Sequence, residues 1–315
     1  MATTIGLGVT YPDTSLETSA KSPVRAIFGY GTNNAGTQLS STNLINNYGA
    51  VASTTAGVGT TRETLAAAGY GGDKAIFAYG TLVSPATYYS TSNLVSNLGV
   101  VAADVTGVGT VRGLLAAAGY GGDKAIFGYG YTGLSSTNIT NLVSNIGVVA
   151  TDQTALTGTA RRNLASANYG TDKAIFGYGI PGGYSSLTNL VSNIGVVATD
   201  TTGVGTARGY LAAAGYGGDK AIFGYGYTGA STAVTNLVSN AGVVATDTTG
   251  VGTVRLSLAA AGYGGDKAIF GYGITTSGGT ALSMTNLVSN AGVVAADTTG
   301  VGTARHSLAA ASYSS

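Results

Sequence analysis

Ala221-Ile222-Phe223-Gly224-Tyr225-Gly226 is the stretch whose reading decides the fold, because the phrase marks a repeat and its spacing is a ruler. Its phenylalanine recurs as Phe28, Phe77, Phe127, Phe176, Phe223 and Phe270, at intervals of 49, 50, 49, 47 and 47 residues. That period suits four short strands with tight turns and is too long for ankyrin, tetratricopeptide or leucine-rich units. Upstream, Leu211 to Gly215 reads as a small-residue strand A, and the Gly217-Gly218-Asp219 turn leads into strand B, Lys220 to Gly226. Downstream, Thr235 to Ser239 and Val243 to Thr246 read as strands C and D around a turn at Asn240-Ala241-Gly242. Strand D continues through Asp247 to Arg255 and the next strand A.

The phase of the copies at the two ends is informative. The first copy opens at strand B, Arg25 to Gly31, and the last residues, Leu308 to Tyr313, form a strand A. The final strand is therefore expected to complete the blade that opens the chain. The fold expected is all-β: a six-bladed β-propeller of four-stranded antiparallel blades, with protected sheet edges and with Ala and Gly crowding a central channel. Residues 25–315 are then one domain. Met1 to Val24 matches no repeat, contains Pro12 and Pro23, and reads as an extended arm, with two readings open: docking onto a neighbouring subunit of a homo-oligomer, or disorder.

Composition narrows the partners. Hydrophobic residues make up 44% of the 315 and charged residues 9%, against roughly 25% charged in an average domain, so a neutral polar surface of Ser, Thr, Asn and Gly is expected. The net charge of +1 gives no basic footprint for nucleic acid or an anionic membrane. Cysteine is absent, which removes disulfides, thiolate metal sites and Cys nucleophiles. Neither a signal-peptide pattern nor an apolar run long enough to span a bilayer is found, so synthesis in the cytoplasm without membrane insertion is expected.

Almost every ionisable residue falls into a repeated set. Asp104, Asp152, Asp200, Asp247 and Asp297 follow strand D, and Arg62, Arg112, Arg161, Arg208, Arg255 and Arg305 precede strand A. One reading is a ligand-binding ring at a channel mouth; the reading favoured is structural, each Asp capping a turn and pairing with a nearby Arg to tie adjacent blades. The first copy has Ser53-Thr54 in place of the Asp. A second set pairs Asp73, Asp123, Asp172, Asp219 and Asp266 with the lysine that follows each. His306 is the single histidine and Glu occurs only as Glu17 and Glu63, so neither a multi-histidine metal site nor the paired carboxylates of a glycosidase are available. The Gly-x-Gly pairs follow strands but open no helix, so they are turn glycines rather than phosphate loops. No catalytic residue, metal or cofactor is expected.

The copies differ most between strands B and C, at residues 32–41, 81–92, 131–140, 180–187, 227–234 and 274–284. Varied loops on a uniform scaffold are a usual place for recognition. Tyr88, Tyr89, Tyr131, Tyr184 and Tyr227 are the aromatic candidates there, in a Ser-, Thr- and Gly-rich setting typical of adaptable binding surfaces. Free drift of unconstrained turns would also produce variation.

The strand ending in Phe-Gly-x-Gly, the Thr-Asn strand that follows it, and the arginine of Gly302-Thr303-Ala304-Arg305 resemble kelch-type propeller repeats, though the Trp and double-Gly signature usual there is missing. The near-identical copies, such as Asn-Leu-Val-Ser-Asn-x-Gly-Val-Val-Ala-Thr-Asp, look like repeat proteins of marine and environmental tailed bacteriophages. The resemblance implies a noncatalytic virion protein of tail, baseplate or capsid surface, acting in assembly or host attachment. Its partners would then be other virion proteins or a host-surface glycan or receptor. The alternative is a multivalent glycan-binding lectin.

Overall fold

Three apolar residues in a row, Ala221, Ile222 and Phe223, are all fully buried, which requires cover on both faces of their strand. The computed structural model describes residues 24–153 and 157–314, and there every B strand is the middle strand of a three-stranded antiparallel sheet. The arm expected at the N-terminus lies outside the described residues as far as Pro23; Val24 is the first residue of a strand. No helix occurs among the described residues.

Six sheets follow one plan. In the second to the sixth, an A strand precedes the B strand in sequence: Ala66–Tyr70, Ala116–Tyr120, Ala165–Tyr169, Ala212–Tyr216 and Ala259–Tyr263. Their B strands are Lys74–Ala78, Lys124–Gly128, Lys173–Gly177, Lys220–Tyr227 and Lys267–Gly271. Their C strands are Ser92–Val95, Thr140–Val143, Thr188–Val191, Ser231–Val238 and Thr285–Val288. In the first sheet the middle strand Val24–Gly29 pairs on one side with Thr42–Ile45 and on the other with Ala309–Ser314, so the last strand of the chain serves as its A strand.

The expected fourth strand is not a regular one. The D segment touches its C strand through isolated bridges such as Val238↔Val244 and Thr235↔Thr248. Between these bridges the C strand advances three residues and the D segment four, the count of a bulge. The cause is the buried Asn236, whose Nδ2 donates to the Ala245 carbonyl at 3.0 Å and so displaces the backbone ladder. The same contact recurs at Asn43, Asn93, Asn141, Asn189 and Asn286.

Hydrophobic clusters lie between sheets rather than within them. Ala165, Tyr169 and Tyr178 of the fourth sheet pack with Leu211, Ala213 and Phe223 of the fifth, and five further clusters join the other successive pairs. The last of these unites Tyr263, Ile269 and Tyr272 of the sixth sheet with Ala26, Phe28 and Ile45 of the first. Phe223 leans on Tyr178 with ring centroids 5.1 Å apart, over Gly177, where an added Cβ would stand 2.6 Å from Cζ of the ring. Phe28 meets Tyr272 and Gly271 in the same way, at 5.0 Å.

Two hoops of backbone hydrogen bonds stitch the sheets side by side. In the first, Thr64 N–H donates to the Ser307 carbonyl, Ser307 to Ser257, Ser257 to Tyr210, Tyr210 to Asn163, Asn163 to Leu114 and Leu114 to Thr64, all at 2.8–2.9 Å. All six residues hold a left-handed backbone, φ 52–58°, without being glycine. In the second, the amides of Gly71, Gly121, Gly170 and Gly217 donate to Asp123, Asp172, Asp219 and Asp266, that of Gly264 to Val24, and that of Ser314 to Asp73. Between the hoops the A strands line a cavity of about 370 Å³, walled largely by Ala and Gly.

The hoops define two ends. At the turn end, Gly71, Gly121, Gly170, Gly217 and Gly264 of the A-to-B turns lie against backbone carbonyls of the C-to-D turns, at Asn145, Asn193, Asn240, Asn290 and Asn47. At the crown end, each B-to-C loop is bridged to the residues that approach the A strand, as in Glu63↔Thr81, Arg162↔Ile180 and Gly209↔Tyr227.

Candidate functional site

The repeated arginines are wholly buried, which a long cation tolerates only where its donors are satisfied. Arg208 shows how. Its guanidinium lies 4.3 Å from the centre of the Tyr178 ring of the fourth sheet. From there Nε donates to the Tyr225 carbonyl at 2.9 Å and Nη2 to Asn236 Oδ1 at 2.7 Å, both in the fifth sheet, while Nη1 reaches the Thr206 carbonyl at 3.1 Å. Asn236 in turn donates to Asp247 Oδ1 at 2.9 Å. Asp247 accepts the Thr206 amide at 3.1 Å and the Thr206 hydroxyl.

Burial by itself raises the Asp247 carboxyl, but the Thr206 hydroxyl, the Asn236 amide, the Thr206 N–H and the Arg208 charge outweigh it and hold the group below the usual carboxylate range. Asp104, Asp152, Asp200 and Asp297 are held low in the same way. Direct pairing is long: Arg62, Arg161 and Arg255 stand 3.8 Å from Asp104, Asp200 and Asp297. The link from Asp to Arg therefore runs chiefly through Asn and Thr. At the junction of the sixth and first sheets Thr54 replaces the aspartate, and Arg305 stacks on Tyr272 at 4.5 Å.

At the crown end the varied loops meet across junctions. The Thr32 hydroxyl donates to Glu63. Arg162 covers the Tyr131 ring at 4.6 Å, and Tyr88 packs edge-on against the same ring, 6.3 Å between centroids. Tyr184, 39% exposed, packs edge-on against Tyr227 at 6.0 Å. Ile180 lies over Gly209, where an added Cβ would stand 2.8 Å from it, and Asn34 exchanges two hydrogen bonds with the Ala281 backbone. Of the candidate tyrosines, four thus form two pairs on neighbouring loops; Tyr89 is tied through its backbone to Gly80 and Arg112 instead. His306, half-buried, contacts Ser307 Oγ at 3.0 Å, and burial lowers its pKa while Glu63 pulls it up.

Sequence reasoning did not reach the residues that complete this end. Thr64, Leu114, Asn163, Tyr210, Ser257 and Ser307 share no chemistry, since their common role belongs to the backbone. Among the described residues no cluster of three His, Asp or Glu side chains is placed to hold a metal ion, and no helix is long and apolar enough to cross a membrane. No protein-family model matches the chain, and no curated protein sequence matches it.

Proposed function

We propose that the protein is a closed six-bladed β-propeller, sealed by its last strand, and that it acts without catalysis as a binding module whose crown end engages the partner. The observation that carries this reading is the contrast between the two kinds of junction contact. Repeated Asp, Asn, Thr and Arg side chains are consumed in holding one sheet to the next, while the crown bears a different set of contacts at each junction. Closure is supported by the pairing of Ala309–Ser314 with Val24–Gly29 and by the Phe28 contact with Tyr272. The likeness of the repeats to those of tailed-phage proteins supports a place on a virion, at tail, baseplate or capsid surface, in assembly or host attachment. Gold-labelled antibody imaging of particles from the source culture tests that placement. Label at a fixed position on virions is the expected result; label confined to debris or free solution overturns it.

The tyrosine pairs favour one other reading, a multivalent lectin, because edge-paired aromatic rings beside hydroxyl-rich loops suit a sugar face. A glycan array separates the two: binding abolished by Tyr184→Ala or Tyr227→Ala, with the fold intact, assigns the lectin role.

A further inference from the structure

Among the described residues eleven large apolar side chains are more than 55% exposed, and nine of them occupy the C-to-D turns. Four sit at the turn tips: Tyr48 at 80%, Leu98 at 65%, Ile146 at 74% and Ile194 at 72%. The other five are valines two residues past a tip, from Val100 to Val293, at 59–66%. Turn chemistry does not ask for them. The turns are built by a side-chain cap, as where Ser239 Oγ accepts the Val243 amide at 3.2 Å, and by glycine at positive φ, as at Gly242. By contrast the crown end carries Val83 and Leu134 as its side chains above that exposure.

These turns all belong to the turn end, so the apolar groups are disposed around one face of the molecule. Inside them stand five ion pairs, Lys74–Asp73, Lys124–Asp123, Lys173–Asp172, Lys220–Asp219 and Lys267–Asp266, at 2.5–2.9 Å. Each lysine is neutralised by its own neighbour, and Arg25, which takes the lysine's place in the first sheet, lies against Tyr313, so the face carries apolar knobs and little net charge. Nine side chains of this size and exposure present on the order of 1,000 Å² of apolar surface, against roughly 800 Å² buried by each partner in a standard interface.

We infer that this face is the contact surface of a back-to-back dimer, with a second copy of the same chain as its occupant. Charge balance favours like against like: a face whose five lysines are already paired meets its own copy with little repulsion. The spacing does as well. Knobs that recur with each sheet leave gaps that recur with each sheet, and a two-fold axis lying in the face seats the knobs of one copy in the gaps of the other, the self-complementary form of an isologous interface. The dimer leaves both crowns outward, available on opposite sides.

Sedimentation equilibrium of the full chain tests this. The mass expected at micromolar concentration is twice the 30.9 kDa of the chain. The triple variant Leu98→Asp, Ile146→Asp, Ile194→Asp is expected to sediment as a monomer with an unchanged thermal melt, because all three positions face solvent in the single chain. Leu134→Asp, at the crown end, is expected to leave the dimer intact. A monomeric wild-type chain, or a triple variant that remains dimeric, overturns the inference. Should the triple variant melt early, Leu98→Ser, Ile146→Ser and Ile194→Ser together provide the same reading with a milder change. Imaging of virions is unaffected by either result, so failure here leaves the crown assignment standing.

Discussion

The Thr303 backbone amide donates to the Thr54 hydroxyl at 3.1 Å, joining residues 249 positions apart in the chain. Thr54 does the work that an aspartate does at the other five junctions, and does it with one acceptor atom where Asp297 offers Thr253 two. Thr54→Asp is therefore expected to stabilise the protein by about 1 kcal/mol, seen in calorimetry as a melting point raised by roughly 2 °C. A lower melting point would mean that the junction cannot accept a carboxylate.

Acid should find the same contacts. The five junction carboxyls titrate below their usual range when folded, so their stabilising effect is complete above the unfolded value of about 4 and is lost as pH falls through the folded values. Melting temperature is expected to be level from neutral pH down to about 5 and to fall below about 4. A melt unchanged in strong acid would show that these carboxylates contribute little.

Alkali acts on the opposite group. Burial pushes the phenols of Tyr30 and Tyr225 up to about 12, against the pull of Arg62 and Arg255. A raised folded value means stability that is full below the unfolded pKa of about 10 and lost as pH climbs toward 12. Absorbance at 295 nm followed together with circular dichroism should show these phenols ionising only as the sheets come apart.

One sheet already carries a natural substitution at a junction glycine. Ala78 stands where the other sheets have Gly29, Gly128, Gly177, Gly224 and Gly271, and there the rings of Tyr79 and Phe127 stand 5.4 Å apart instead of 5.0–5.2 Å. Gly128→Ala, which would set a Cβ 2.7 Å from the Phe176 ring, should be absorbed by a similar small retreat at a cost of about 1 kcal/mol in urea denaturation. Loss of folding would show that the widened junction depends on compensations elsewhere in the second sheet.

Arginine at the junction is not replaceable by lysine. Arg161 stacks on Tyr129 at 4.4 Å while donating to Tyr178, Thr159 and Asn189, and an ammonium cannot reach all three acceptors from one position. Arg161→Lys should cost about 3 kcal/mol in the same urea assay. A cost near zero would place the value of this residue in its charge alone.

Much of the architecture was legible because each strand had one dominant signal. The apolar run of Ala-Ile-Phe announced a strand covered on both faces, the Gly-Gly-Asp turn fixed its partner, and the order of strands at the two ends put Ala309–Ser314 beside Val24–Gly29. The D segment misled because its Val-Val-Ala alternation reads as a strand, whereas the outcome is set by the side chain of Asn236 one strand away. At the crown, position in the repeat singled out Tyr88, Tyr131, Tyr184 and Tyr227, yet their pairing depends on contacts between residues 43 positions apart, which no local pattern encodes. The exposed valines just past the turns look like ordinary strand residues until the fold shows that nothing described covers them.

The hoop through Thr64, Leu114, Asn163, Tyr210, Ser257 and Ser307 has one consequence for how the molecule comes apart. A ladder of hydrogen bonds ordinarily frays from its ends, where the outermost amides exchange with solvent deuterium long before the rest. A circle of donors and acceptors has no outermost member. Each of these six amides is released only when two sheets separate, so all six are expected to exchange at one slow rate, that of unfolding the whole ring.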